Sequence, residues 1–387
     1  LGRSQQRVVP DPLLVTPRVL LFAHRLSHPS RTGVVRYANE LAAALDVRAG
    51  SEHAYVLSSL PEPWPLPWTP RRIEVRRARG PRRIVNLAWT AMQRPNVERL
   101  AGRADLVHAL DPGVLVPSHA PFICTVHDLM PLQHPEWFER GPRWALGRAV
   151  RHARDHARMI VTVSETVRRD VIELLDVEPD RVRAIPSGIG SPFTDGVAAG
   201  AVSEVLRRHG LQPQGYLLYV GTVSVRKNLP TLVRALEVAG AGPLVVAGPD
   251  GLGAAGIRAE VQRLGLGNRV RFMGFVAEGE LPALMAGSSG LCHPATYEGF
   301  GFTPLEAMAM GTPVVVSRGG ALPEVVGDAG LIVDPDDVDG WASAIRSLDD
   351  PSIRSRLVEA GSRQASRYTW SRTADATVRL HAEVLAG

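Results

Sequence analysis

The chain has 387 residues, 45% hydrophobic and 21% charged, with a formal net charge of +5; this composition excludes global disorder, and the length exceeds one ordinary core and calls for two domains. No apolar run approaches the roughly 18 residues that span a bilayer, and the opening LGRSQQRVVPDP has neither the apolar core of a secretory leader nor an initiating Met, which reads as a trimmed or tag-derived start. Charge is uneven: residues 1–190 carry 27 basic against 19 acidic side chains and residues 191–387 carry 17 against 20, so the first half is a basic body.

In chain order, short runs rich in Val, Ile and Leu predict strands at 18–24, 54–59, 72–78, 104–110, 121–128, 159–164 and 182–186. They alternate with helical patterns and show little period-two alternation, as expected of parallel strands covered on both faces. Most of the basic excess sits in RRIEVRRARGPRR (71–83). Aromatic residues suited to base stacking are not interleaved there, so no nucleic acid partner is expected. A solvated arginine face is the plain reading, and an anionic membrane surface or anionic acceptor is the alternative. RIVNLAWTAMQR (83–94) has an apolar side that reads as a core-packing helix, with surface membrane contact as the alternative.

The small-residue stretch PSGIGSPFTDGVAAG (186–200) suits a hinge, after which the pattern restarts. Strands are predicted at 215–221, 243–248, 270–275, 289–294 and 313–317, with helices at 228–239, 254–264 and 303–310, and closing helices follow to the end. The fold class is α/β, with two doubly wound parallel-sheet domains. Their boundaries are 1–190 and 191–369. Ligands in such sheets bind beyond the carboxyl ends of the strands, so a cleft between two such edges is the expected site. Cys124 and Cys292, far apart in apolar runs, read as small core residues of a reducing compartment.

Four stretches fall at strand ends. SRTGVVRYANELAAAL (30–45) opens a helix beside Gly33, where a missing side chain lets backbone amides approach a phosphate, or merely relieves a tight turn. TVHDLMPLQHPEWF brings His127 and Asp128 to the end of strand 121–128, where the carboxylate could orient the imidazole. YVGTVSVRKNLPTLVRAL (219–236) holds Lys227, the single lysine among 44 basic residues, next to Arg226. Two cations beside the positive end of a helix dipole repel one another unless an anion lies between them, which points to a diphosphate. Lysine supplies a compact charge where a guanidinium fork would clash, and Arg226 can grip two oxygens.

HPATYEGFGFTPLEAMAMGTPVVVS (293–317) is the most specific stretch. Glu298 stands at the mouth of a glycine turn and suits hydrogen bonds to sugar hydroxyls. The amides around Gly299, Phe300, Gly301 and Phe302 are available to phosphate oxygens. Glu306 follows Thr303-Pro304-Leu305 in capping-box register, with Pro304 expected at the first helical position. No spacing typical of a protein-built metal site is present.

HPATYEGFGFTPLEAMAMGTPVVVS with GGALPEVVGDAGLIVDPDD resembles the signature region of family-4 glycosyltransferases of the GT-B fold. VGTVSVRKNLPTLVRAL is similar to that family's phosphate-binding loop, and RTGVVRYANEL to its first glycine loop. TVHDLMPLQHPEWF and VSETVRRDVIELLDVEPDRVRAIPSGI are similar to its amino-terminal landmarks. The resemblance runs from about residue 18 to the carboxyl terminus, with its parts in the family's order. It implies a retaining hexosyltransferase that takes a sugar from a nucleotide-diphosphate donor, with no cofactor and no required metal, and a last helix (370–387) that crosses back onto the first domain. Carried over by position, Glu298, Arg226, Lys227 and His127 would be catalytic. Glu298 would contact the sugar, Arg226 and Lys227 the diphosphate, and His127 the reacting face. Gly33, Asp128, Gly299, Phe300, Gly301, Phe302 and Thr303 would line the donor site, with Glu306 at the ribose and Phe275 and Val276 near the base. Thr222 stands where some relatives have a further phosphate-binding arginine.

The expected mechanism is attack on the face the phosphate leaves, with Asp128 as nucleophile of a less favoured covalent route. The donor leans to GDP-mannose, with UDP-sugars close behind. A GT-B nucleotide-sugar epimerase and a non-catalytic binding subunit are the alternatives. The acceptor is a small molecule, a lipid-linked species or a glycan. The arginine bias points to a high-GC bacterial source and a cytoplasmic protein, with peripheral contact to the inner face of the membrane left open.

Overall fold

The computed structural model describes residues 16–24, 26, 33–50, 52–61, 66–138 and 140–387. The start LGRSQQRVVPDP and residues 30–32 at the head of the first glycine loop lie outside these. The first half runs β1 (Arg18–Ala23), α1 (Gly33–Asp46), β2 (Ala54–Ser59), β3 (Glu74–Arg77), α2 (Arg82–Met92), α3 (Val97–Ala101) and β4 (Leu106–Ala109). It continues through β5 (Phe122–Val126), α4 (Met130–Gln133), α5 (Arg140–His156), β6 (Met159–Thr162), α6 (Glu165–Leu175) and β7 (Val182–Ala184). The strands pair in parallel in the order β3-β2-β1-β4-β5-β6-β7.

The second half begins with α7 (Ala199–Arg208), β8 (Leu217–Val220), α8 (Leu229–Ala239), β9 (Leu244–Ala247), α9 (Ala254–Arg263) and β10 (Val270–Gly274). Next come α10 (Leu281–Gly287), β11 (Gly290–His293), α11 (Phe302–Ala309), β12 (Val314–Ser317), α12 (Leu322–Val326) and β13 (Leu331–Val333), and then α13 (Val338–Ser347), α14 (Pro351–Ala365) and α15 (Trp370–Ala386). This sheet is also parallel, in the order β10-β9-β8-β11-β12-β13. The sequence pattern predicts five strands here and omits β13, whose three residues are too few to show a period.

Alternate residues of the second sheet feed different cores. Leu218, Val245, Leu291 and Val316 join an apolar cluster continuous with the first domain, whereas Tyr219, Val246, Cys292 and Val315 pack against α8, α9 and α13. Both faces are therefore buried, which is why the strands read as unbroken apolar runs. Cys124 and Cys292 are buried free thiols. In α2, Val85 and Trp89 enter the core, while Ile84, Leu87 and Met92 on the other side are exposed. Among the described residues no helix is long and apolar enough to cross a membrane. Asp46, ending α1, accepts the backbone N–H groups of Arg71, Arg72 and Ile73 at 2.9, 2.7 and 2.6 Å, and so anchors the head of the arginine-rich stretch.

The small residues of 186–200 have a packing reason. Ile189 bridges to Thr369, and a side chain at Gly188 would collide with the backbone of Thr369 and Trp370, so the outgoing and returning connections can lie side by side. The return leads into α15, which rests on the first domain. Arg48 pairs with Asp375 and reaches the Ser371 hydroxyl at 2.7 Å, and the Thr373 hydroxyl donates to the Pro186 carbonyl at 2.8 Å.

A fully buried polar chain runs beneath α15. The Tyr55 hydroxyl lies 3.2 Å from His381 Nδ1, His381 Nε2 lies 2.9 Å from His108 Nδ1, and His108 Nε2 lies 2.9 Å from the Thr125 hydroxyl. With both rings neutral the donors run head to tail, and with both rings protonated two N–H groups would be set against each other between His381 and His108. Burial pushes His108 down to about 3, and burial together with His108 and His53 holds His381 well below its ordinary value. The unfolded chain therefore takes up protons first as pH falls. Stability should be whole above about pH 6.5 and decline toward about pH 3, with a slope of up to about 1.4 kcal/mol per pH unit for each histidine. Thermal unfolding of wild type and His381→Gln between about pH 7 and 5 checks this. The wild type is expected to lose more Tm than the variant over that interval, and equal losses would assign the acid sensitivity elsewhere.

Candidate active site

The carboxyl edges of the two sheets face one another, and the second sheet reverses its strand order between β8 and β11, which are neighbours. The loops leaving these two strands carry the ionic centre. After β8 the chain passes Gly221 and enters a single 3-10 turn over Val225–Lys227. Asn228, left-handed at φ 50°, then starts α8 and donates to the Pro335 carbonyl at 2.7 Å. After β11, Thr296 N–H donates to the Arg226 carbonyl at 3.0 Å, so the two loops hold each other. Glycines set the second loop. The Gly319-Gly320 pair lies so close to the backbone of Ala295–Glu298 that a Cβ on either would collide with it, and Ala321 N–H donates to the Glu298 carbonyl at 2.8 Å.

Lys227, 8% exposed, pairs its ammonium with Glu298 Oε1, and His293 Nε2 donates to the same oxygen at 3.1 Å. Arg226 Nη1 lies 3.9 Å from that oxygen, buried and without a hydrogen-bond partner among the described residues. The two cations do have an anion between them, and it is the chain's own carboxylate. Burial works to raise the Glu298 pKa, but Lys227, the His293 hydrogen bond and Arg226 hold it well below the carboxylate range. Burial and Arg226 pull Lys227 below its usual value, opposed by Glu298.

The structure corrects two expectations about side-chain pairing. Thr303 and Glu306 form no capping box: α11 starts at Phe302, with Gly301 (φ 117°) as its unassisted cap. Thr303 and Pro304 are thus the second and third helical residues, where a missing N–H costs no intrahelical bond. Glu306, 4% exposed, instead pairs across the cleft with Arg36 of α1, whose guanidinium stacks over Phe302 and Phe193 at 5.2 and 5.4 Å from the ring centroids. Nor does Asp128 orient His127. His127 Nε2 donates to the Leu110 carbonyl at 2.9 Å, while the Asp128 carboxylate accepts Met130 N–H at 3.1 Å, as consecutive residues leaving a strand point to opposite sides. Burial raises Asp128 to about 6, against the pull of the Met130 N–H and Arg226.

His127 and Asp128 press against Gly299, and Gly33 lies over the Phe302 ring, so both first-domain strand ends meet the glycine turn. The amides of Gly299, Phe300 and Gly301 donate to no described residue. Phe275 is 72% exposed and Val276 buried, past the edge strand β10 and apart from the ionic cluster. Sequence reasoning passes over His293, although it sits inside the quoted stretch. It also passes over Arg36, which nothing in the spacing separates from the other arginines. Two further cross-cleft contacts are equally invisible in it. Glu324 of α12 accepts the Glu165 and Thr166 N–H groups at the start of α6, at 2.9 and 3.0 Å, and the Tyr297 hydroxyl donates to Asp170. A depression of about 1030 Å³, lined by Arg94, His152 and Arg158, opens at the amino edge of the first sheet and touches none of these residues.

Two Rossmann-like parallel sheets facing each other across such a cleft define the GT-B class of enzyme, and solved structures agree. The sucrose-phosphate synthase of Thermosynechococcus elongatus superposes with a TM-score of 0.76 at 22% identity, over 96% of this chain and 99% of that one. HepE of Anabaena, crystallised with UDP and glucose, gives 0.73 at 18% identity, over 95% and 100%. The family described as Glycosyltransferase Family 4 matches residues 31–190, and Glycosyl transferases group 1 matches residues 204–364. The O-antigen chain mannosyltransferase B of Escherichia coli is 33% identical over 265 residues, 67% of this chain and 69% of that protein. The MMP alpha-(1->4)-mannosyltransferase of Mycolicibacterium hassiacum is 31% identical over 238 residues, 59% of this chain and 54% of that protein. A D-inositol 3-phosphate glycosyltransferase of Acidothermus cellulolyticus is 32% identical over 243 residues, 59% and 53%. The chain belongs to the family-4 glycosyltransferases and is a glycosyltransferase enzyme.

The contact at Gly299 generates a test of closure. In Gly299→Ala the new methyl group meets the His127 carbonyl, so the domains must part. The expected results are a larger radius of gyration by X-ray scattering and a loss of about 1–3 kcal/mol of stability. Gly256→Ala, on α9 with open space around its Cβ, should leave the radius unchanged and match or exceed wild-type stability.

Proposed function

We propose that the enzyme transfers a hexose from a nucleotide-diphosphate sugar to an acceptor hydroxyl with retention of anomeric configuration and without a metal ion. The observation that carries this reading is the Lys227–Glu298 pair at the β8/β11 switch point, with Arg226 Nη1 beside it making no hydrogen bond among the described residues. An incoming diphosphate satisfies Arg226 and draws Lys227 from Glu298, and the carboxylate is then available to donor hydroxyls. The amides of Gly299, Phe300 and Gly301 add donors to the leaving phosphate. Glu306 keeps one oxygen on Arg36 and offers the other to the ribose. In the transfer step the bond from the anomeric carbon to phosphate oxygen breaks and the bond to the acceptor oxygen forms on the same face. The acceptor proton passes to the departing phosphate. Asp128 suits the covalent alternative poorly, because its carboxylate is tied to the Met130 N–H.

GDP-mannose is the favoured donor, since two of the relatives above are named mannosyltransferases; UDP-sugars come next, because the HepE structure holds UDP. The acceptor is proposed to be a glycan or a phosphorylated or lipid-linked small molecule.

Calorimetric titration with GDP, UDP, dTDP and ADP tests the reading first. One tight nucleotide names the donor class; no binding by any of them removes the proposal. Lys227→Arg preserves charge but cannot fit its fork at an 8% exposed position, and is expected to lose at least about tenfold in turnover. Glu298→Gln gives a sharper result. Without nucleotide it leaves Lys227 buried and uncompensated, a cost of about 3–5 kcal/mol. Since the diphosphate no longer competes with a carboxylate, the Tm gain on adding nucleotide should exceed that of wild type while transfer collapses. A chelator should leave wild-type turnover unchanged.

A further inference from the structure

His293 has no part in the reading above, yet it is the most deeply buried member of the cluster, at 2% exposure. It ends β11 at the centre of the second sheet, in register with Val316 of β12, and its ring lies parallel to that of Tyr219 at 6.2 Å between centroids. It cannot swing out without unpicking the sheet. Its Nε2 donates to Glu298 Oε1 at 3.1 Å, and its Nδ1 is buried with no hydrogen-bond partner among the described residues.

Those two facts settle its chemical form. Donation to a carboxylate requires the proton on Nε2, and a second proton on Nδ1 would be buried with nothing to receive it. Burial, Lys227 and Arg226 all disfavour the cation, with Glu298 opposing. The ring is a neutral donor with one job open to it, since a group so enclosed reaches neither donor nor acceptor.

The two tethers on Glu298 differ in kind. Lys227 is long, charged and, on the proposed reading, changes partner when the diphosphate arrives. His293 is short, neutral and fixed in the sheet, so a phosphate has no pull on it. We infer that His293 is the positioning residue for Glu298, holding that carboxylate at the mouth of β11 after Lys227 has gone over to the diphosphate. This inference rests on the proposed function and adds to it a residue that separates binding the nucleotide from recognising the sugar attached to it.

The test compares wild type, His293→Leu and His293→Gln, using the nucleoside diphosphate that binds wild type and the corresponding nucleotide sugar. In His293→Leu the bare nucleotide should bind within about threefold of wild type, because Lys227 and Arg226 remain. The affinity added by the sugar should be lost and kcat should fall about 10- to 100-fold, the usual effect of removing a partner that orients a functional ligand. His293→Gln, whose amide can donate to Glu298, should recover most of both. Retained sugar affinity and kcat in a folded His293→Leu overturns the inference while leaving the glycosyltransferase reading intact. So does a glutamine variant as impaired as the leucine variant. Failure of wild type to bind any nucleotide removes both. Nitrogen NMR of histidine-labelled wild type is independent of whether the variants fold. A bare Nδ1 and a protonated Nε2, unchanged on adding nucleotide, are expected; an imidazolium or the opposite tautomer overturns the assignment.

Discussion

One buried carboxylate organises the candidate site of this enzyme. Glu298 takes Lys227 and His293 on a single oxygen with Arg226 close by, in a place where an unpaired charge of either sign would be untenable. Much of the surrounding backbone serves to bring it there: the Gly319-Gly320 loop pressed against its main chain, the Thr296–Arg226 bond joining the two strand-end loops, and the left-handed turn at Asn228. With Lys227, His293 and Arg226 beside it the acid is held well below its usual range and stays ionised throughout the physiological interval.

The second organising constraint is closeness between the domains. The Arg36–Glu306 pair, the Ser164 hydroxyl on the Gly299 carbonyl at 2.8 Å, the Glu324 cap on α6 and the bare face of Gly299 against His127 all span the cleft. These are polar contacts of few atoms, suited to being broken and remade, whereas the apolar continuity runs deeper through the shared core. Glu306 is accordingly both a donor-site candidate and a member of the closure.

How much of this could be read beforehand depended on the length of the signal. Parallel strands buried on both faces show as apolar runs, and their order of appearance gave two doubly wound sheets; β13, with Leu331, Ile332 and Val333 alone, was too short to register. The solitary lysine singles out its loop, but repulsion between neighbouring cations says only that an anion is required, not which one. The residue that supplies it lies 71 positions away. The capping box failed because Gly301 could take a positive φ and start the helix at Phe302, two residues before the first position expected at Pro304. The His127–Asp128 pairing failed because adjacency in sequence is not adjacency of side chains at a strand end. Arg36 was one arginine among 43, and its meaning exists only once α1 faces α11.

The buried chain Tyr55–His381–His108–Thr125 also has a consequence for biosynthesis. β7, the last strand of the first sheet, ends at Ala184, but the helix that supplies His381 starts only at Trp370. A nascent chain leaving the ribosome presents a finished sheet in which the Tyr55 hydroxyl and His108 Nδ1 lack their His381 counterpart until the end of α15 emerges. The second domain has all its strands in hand by then, so the domain made first is the one completed last. Chaperone dependence should therefore fall on the early half of the chain, for as long as its late half is still being translated.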